Sequence, residues 1–195
     1  MLREACREAA RWHEARPDCR PLGLSVNVSG RQLGDGALEL EVAAALADSG
    51  LPAEQLTLEL TESALMEQRS DVVRALRALK ALGVRLSIDD FGTGYSSLAR
   101  LQRLPVDEVK IDRGFVAALG ADGANPIVEA VLALGAGLGI EVVAEGIEHE
   151  GQLRALRDRG CRVGQGFAFS RPVDGDAVLR LAAGRVVNDT LNFSV

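Results

Sequence analysis

Val84-Arg85-Leu86-Ser87-Ile88-Asp89-Asp90-Phe91-Gly92-Thr93-Gly94 alternates aliphatic and polar residues, then breaks into a glycine-bearing loop. Val84, Leu86 and Ile88 share one face and Arg85, Ser87 and Asp89 the other, the period of two that marks a strand. Two adjacent carboxylates at the exit of a strand repel each other unless a cation or a proton lies between them. Asp89 and Asp90 therefore point to chemistry, most simply to a divalent metal held by oxygen ligands.

The same alternation recurs on both sides of this stretch. Leu56, Leu58 and Leu60 oppose Thr57, Glu59 and Thr61; Val109 and Ile111 oppose Glu108, Lys110 and Asp112; Val142 and Ala144 oppose Glu141 and Glu145. Strands are predicted over 22–29, 56–61, 84–89, 107–112 and 140–145, with a weaker pattern over 161–167. Helical periodicity fills 2–15, 36–49 (closed by Gly50), 70–82 (closed by Gly83), 95–103, 125–138, 149–159 and 174–183. Strands separated by helices pair in parallel through right-handed crossovers.

Polar residues stand where these strands end: Asn27, Glu59, Asp89, Lys110 with Asp112, Glu145 and Gln165. An open doubly wound sheet gathers only the ends near its switch point, whereas a barrel brings every strand end to one face. The expected fold class is α/β, a modified (β/α)8 TIM-like barrel. Six strands are counted where a complete barrel needs eight over roughly 250 residues, and the chain opens on a helix. The first strands are expected to be missing. Residues 1–184 form the partial domain, and 185–195 a C-terminal tail without a motif.

Composition narrows the partners. The 195 residues are 47% hydrophobic and 26% charged, with a net charge of -6. That balance is ordinary for a globular domain and speaks against a nucleic-acid polymer as partner. An anionic substrate would need a metal or placed cations. Cys6, Cys19 and Cys161 fit neither a disulfide framework nor a zinc pattern, and the charged N-terminus lacks an apolar signal core, so a cytoplasmic setting is expected. The apolar run from Ile127 to Ala144 is interrupted by Glu129, Glu141 and several glycines and is no membrane span. His13 and His149 are isolated, which argues against a histidine metal site.

Six segments occur in one order: Ser25-Val26-Asn27-Val28-Ser29, Glu59-Leu60-Thr61-Glu62, Asp89-Asp90-Phe91-Gly92-Thr93-Gly94-Tyr95-Ser96-Ser97-Leu98, Lys110-Ile111-Asp112, Ala144-Glu145-Gly146-Ile147-Glu148 and Gly164-Gln165-Gly166-Phe167. Together they resemble the EAL-domain family of cyclic di-GMP phosphodiesterases, over nearly the whole chain to Pro172. The resemblance implies hydrolysis of one phosphodiester of cyclic di-GMP to linear pGpG, with two Mg2+ or Mn2+ ions. It also implies that Asn27, Glu59, Asp89 and Asp90 are metal ligands, that Lys110 holds the nucleophilic water, and that Glu145 is the general base. Gln165 would help position the site, Glu62 would pin the loop 91–98, and Glu148 would support the outer shell beside Asp112. In this family the loop 91–98 couples metal binding to homodimerisation, and sensor or diguanylate cyclase domains are expected upstream.

The departures matter as much. The Glu-Ala-Leu triplet that names the family, whose glutamate is a metal ligand, has no counterpart here; its place would precede residue 1. Gly114 stands where the family has a serine after Lys-Ile-Asp. A site short of one carboxylate binds a hard cation less well, and missing barrel strands leave sheet edges open. The isolated chain is therefore expected to be weakly active or inactive. A domain that binds cyclic di-GMP or a protein partner without hydrolysis is the alternative. An enolase-like barrel with Lys110 as base leaves the Phe91-Gly92-Thr93-Gly94 loop without a role.

Overall fold

The computed structural model describes residues 1–17, 21–34, 36–66, 70–94, 98–119, 123–184 and 192–194. Helix α1 (Leu2–Glu14) leads into β1 (Gly23–Val28), the short helix α2 (Gly30–Gly34) and α3 (Leu38–Ser49). Strand β2 (Leu56–Thr61) is followed by α4 (Glu62–Met66) and α5 (Ser70–Ala81), and β3 (Arg85–Phe91) by α6 (Leu98–Leu101). Then come β4 (Glu108–Ile111), α7 (Arg113–Ala117), α8 (Pro126–Leu138), β5 (Glu141–Ala144), α9 (Glu150–Asp158), β6 (Val163–Gly164), α10 (Gly175–Gly184) and β7 (Asn192–Ser194).

Every strand pair is parallel, and the order across the sheet is β6-β5-β4-β3-β2-β1-β7. The α/β architecture is that of a TIM-like barrel with part of its wall absent. Six strands are those expected from the sequence. The seventh, β7, pairs with the free edge of β1 through Gly23 to Ser25, in a tail where the sequence offers no motif. Of the predicted helix over 95–103, Leu98–Leu101 is helical, and residues 95–97 lie outside the described part. Cys19 and the tail residues 185–191 and 195 also lie outside it.

Local chemistry explains where the elements stop. Gly50 closes α3 and Gly139 closes α8 in the left-handed conformation, at φ 71° and 69°, which glycine adopts without a side-chain clash. Asn125 caps α8 by accepting from Ile127 N at 2.9 Å, with Pro126 in the first turn. Helix α5 buries Val72, Ala75, Leu76 and Leu79, a stripe at the i, i+3, i+4, i+7 spacing. It packs into one hydrophobic core with Leu58, Leu60, Leu86, Ile88, Val109 and Ile111 from the strands.

The opposite strand face is polar and yet buried. Ser25, Thr57, Glu59, Ser87, Glu108 and Lys110 are all shielded from solvent. Side chains two strands apart meet there: Lys110 on β4 bonds Glu59 on β2, and Arg85 on β3 bonds Glu141 on β5. Strands two positions apart in a flat sheet are separated by about 9.6 Å. The contacts require side chains converging on the concave side of a rolled sheet. Helices cover the outside, and the interior is held by charge.

Candidate active site

Four strands deliver charged side chains to one mouth at their C-terminal ends. Lys110 sits at the centre, with 3% of its side chain exposed. Its Nζ donates to Glu59 Oε2 at 2.8 Å, lies 3.3 Å from Asp89 Oδ1, and meets Glu145 Oε1 at 2.5 Å. Burial alone would pull the lysine down, but Glu59 and then Glu145 more than offset it, and the ammonium ends above its ordinary value. It stays charged at any physiological pH.

Glu145 shows the opposite balance. Burial pushes its carboxyl up, Lys110 opposes the shift, and the nearby charges of Asp89 and Glu59 add to it. Gln165 fixes its orientation, donating from Nε2 to Glu145 Oε1 at 2.7 Å. The bond depends on a close backbone approach between the β5 exit and β6. Ile147 N donates to Gln165 O, and Ala168 N to Ile147 O. Gly166 sits between them at φ 152°, and a Cβ there would run into the backbone of Ile147. Gly166→Ala is expected to cost about 1–3 kcal/mol or more and to displace Gln165, read as a lower urea midpoint and loss of the Gln165 side-chain amide shift.

Asp90 reaches the mouth by breaking the strand rule. Consecutive side chains of a regular strand point to opposite faces, so Asp90 should face away from Asp89. The pairing of β3 with β4 instead shifts register between Ile88 and Phe91, and Asp90 takes φ 55°, a left-handed conformation uncommon outside glycine. Asp90 N donates to the Asp89 carboxylate at 3.0 Å. Carboxylate oxygens of Asp89, Asp90 and Glu145 all come within 4.8 Å of one another. Burial raises the Asp90 carboxyl, and Asp89 and then Asp112 add to it. Three converging oxygen donors of this kind suit a hard divalent cation such as Mg2+ or Mn2+.

The other sequence-derived candidates are placed as follows. Glu59 is buried and engaged by Lys110. Asn27 aligns with Glu59 across the β1–β2 pair but is exposed. Glu62, 2% exposed, accepts from Gly92 N at 2.9 Å and Gly94 N at 3.4 Å, tying the start of the 91–98 loop to α4. Asp112 caps α7 through Gly114 N at 2.9 Å. Glu148 is exposed, and its amide donates to Gln152 Oε1. His13 is bonded to Leu22 O at 2.8 Å, and His149 caps α9. Beneath the mouth lies a group that the sequence reading put on the inner face without giving it a role: Arg85, Ser87, Glu108 and Glu141. Their strand parity was the available signal.

No helix among the described residues is long and apolar enough to cross a membrane. Comparisons with known proteins place this arrangement. The cyclic di-GMP phosphodiesterase NbdA of Pseudomonas aeruginosa is 45% identical over 174 residues, 89% of this chain and 22% of that protein. The crystal structure of the EAL domain of Mycobacterium smegmatis DcpA matches at 43% identity and TM-score 0.85, covering 95% of this chain and 84% of that one. The PaMucR phosphodiesterase in its c-di-GMP complex matches at 42% identity and TM-score 0.84, covering 91% of this chain and 71% of that one. The chain spans 21% to 30% of the length of curated relatives it matches. The EAL domain family model itself matches residues 1–172, which include every candidate site residue described above, and the chain belongs to that family.

Proposed function

We propose that this domain is a metal-dependent phosphodiesterase that opens one phosphodiester of cyclic di-GMP to give linear pGpG. The observation that carries the reading is the convergence of Asp89, Asp90 and Glu145 beside the buried Lys110. Relatives named as cyclic di-GMP phosphodiesterases support the substrate. In the proposed site, Asn27, Glu59, Asp89 and Asp90 would hold two Mg2+ or Mn2+ ions. Such ions polarise a phosphoryl oxygen and lower the pKa of a bound water.

The chain's own residues account for the rest. Lys110 holds a fixed positive charge at the mouth, complementary to a phosphate. Glu145, with its raised carboxyl oriented by Gln165, accepts the proton of the attacking water as the oxygen–phosphorus bond forms. The bond from phosphorus to the 3′ oxygen breaks, and that oxygen takes a proton from solvent. Glu62 keeps the loop after Asp90 in place. The sheet is not closed between its β6 and β7 edges among the described residues, so the mouth lacks part of its wall and turnover by this chain is slow.

The test is incubation of residues 1–195 with cyclic di-GMP in Mn2+, in Mg2+ and in chelator, followed by chromatography for pGpG. Slow, cation-dependent product is expected. Binding by calorimetry with no product in any cation would move the reading to a non-hydrolytic cyclic di-GMP-binding module. Attached sensor or diguanylate cyclase domains, pairing of two copies through residues 91–98 and a cytoplasmic site of action belong to the same proposal. A bifunctional relative, MucR of Pseudomonas aeruginosa, motivates the first. A monomer by sedimentation at all concentrations would remove the second.

A further inference from the structure

The rim of the mouth carries a cation that the phosphodiesterase reading does not use. Arg113 follows Lys110-Ile111-Asp112 directly and is the first residue of α7. Asp112 fixes that turn by accepting from Gly114 N at 2.9 Å. Strand β4 pairs with β5 through Ile111 and Ala144, and Glu145 N donates to Ile111 O at 3.2 Å. The start of α7 therefore lies against the exit of β5. Gly146, at φ 67°, is packed so closely there that an added Cβ would come within 2.5 Å of Arg113 Cβ. Arg113 is thus held beside the residue that follows Glu145, and it is exposed. Its positive charge reaches the Asp90 carboxyl, where it opposes the rise caused by burial, Asp89 and Asp112.

Lys110 and Arg113 are placed differently. Lys110 is 3% exposed and is shared by Glu59, Asp89 and Glu145. Arg113 is at the surface, and among the described residues no carboxylate is paired with it. Cyclic di-GMP carries two phosphodiesters on one ring, each with one negative charge. The phosphate that is opened lies against Asp89, Asp90, Glu145 and Lys110. The covalent ring then holds the other one near the rim of an acidic mouth, where it needs a cation of its own. A guanidinium suits it, because its planar fork donates two parallel hydrogen bonds to phosphate oxygens and keeps its charge.

We infer that Arg113 binds the phosphate of cyclic di-GMP that is not cleaved, and so selects a cyclic dinucleotide over a simple phosphodiester. The choice of ligand rests on the phosphodiesterase reading. The charge of that second phosphate is the same before and during the reaction, so the contact is equally strong in the ground state and the transition state. Such uniform binding lowers KM and leaves kcat unchanged.

The test compares the full chain with Arg113→Ala, Arg113→Lys and Arg171→Ala in Mn2+, on cyclic di-GMP and on bis(4-nitrophenyl) phosphate, which has a single phosphate. Arg171 is another exposed cation, stacked on Phe167 with its guanidinium 5.1 Å from the ring centroid. Arg113→Ala is expected to raise KM for cyclic di-GMP by roughly 5–30-fold, the range of a charged hydrogen bond weakened by solvent, with kcat little changed. Arg113→Lys should recover part of the loss, and Arg171→Ala should show none. Hydrolysis of bis(4-nitrophenyl) phosphate should be the same in every variant, which also shows that each is folded. An unchanged KM in Arg113→Ala, an equal loss on both substrates, or a larger loss in Arg171→Ala would overturn the inference. Calorimetry with cyclic di-GMP in a Glu145→Gln background gives the same comparison as a Kd, without turnover. Binding that weakens in Arg113→Ala while neither substrate is hydrolysed ends the phosphodiesterase reading and keeps the contact. Hydrolysis of bis(4-nitrophenyl) phosphate with no binding of cyclic di-GMP keeps the hydrolytic site and overturns the contact.

Discussion

Lys110→Met is expected to lower the unfolding free energy of the metal-free protein by about 3–5 kcal/mol, the usual cost of removing one partner from a buried ion pair. The side chain is 3% exposed and serves Glu59, Asp89 and Glu145 together, at 2.8, 3.3 and 2.5 Å. Methionine fills much the same volume, so the loss comes from charge and not from a cavity. Three carboxylates then share one mouth with nothing to neutralise them, and their mutual repulsion favours protonation in the folded state. An acid whose folded pKa is raised binds its proton more tightly when folded. Its stabilising effect is complete below the unfolded value and is lost as pH rises through the folded one. Urea titrations should therefore show the variant closest to wild type near pH 5 and furthest from it near pH 8. Added Mn2+ should recover part of the difference. Equal stability of the two proteins at pH 8 would show that Lys110 is not what holds the mouth together.

Glu145→Gln is expected to act on the reaction and not on the fold. The amide preserves size and keeps an oxygen for Gln165, whose Nε2 donates to Glu145 Oε1 at 2.7 Å. Removing a carboxylate whose pKa is already raised by burial gives up its pairing with Lys110, which Glu59 and Asp89 still hold, and relieves repulsion with Asp89 and Glu59 in exchange. The urea midpoint at neutral pH should stay level or rise. Conversion of cyclic di-GMP should fall by roughly 10²–10⁴-fold, the range that a positioned general base supplies, taking a slow wild-type rate to background. The measurement is single-turnover formation of pGpG with enzyme in excess and Mn2+ saturating. Turnover within tenfold of wild type would remove Glu145 from the role of base. It would leave the residue as a member of the carboxylate cluster alone.

Much of this arrangement was legible in the residues because a strand has a period of two. Alternation put Glu59, Asp89, Lys110 and Glu145 on inner faces and near strand ends, and the helix and strand order demanded parallel pairing. Gly50, which stops α3, declared itself by type and position. Helix boundaries read from periodicity fell within a few residues of those observed and mostly ran slightly long, because residue pattern does not separate a capping residue from the helix it flanks. The weak sixth strand proved short, Val163–Gly164. There the chain is shaped by backbone bonds to Ala144 and Ile147, which leave no trace in hydropathy.

Alternation by itself would have separated Asp89 from Asp90. A register shift against β4 and a left-handed Asp90 bring both carboxylates to Glu145, and neither feature can be read from a sequence of ordinary strand residues. The pairing of Lys110 with Glu59, two strands away, and of Arg85 with Glu141 likewise depends on how tightly the sheet rolls. So does the edge pairing of β7 with β1. The sequence determined the fold class, the family and the residues that carry charge, because period and residue type are local properties of the chain. Only the tertiary structure decided which charges meet, because curvature, register and the one strained turn are set by strands packing against each other.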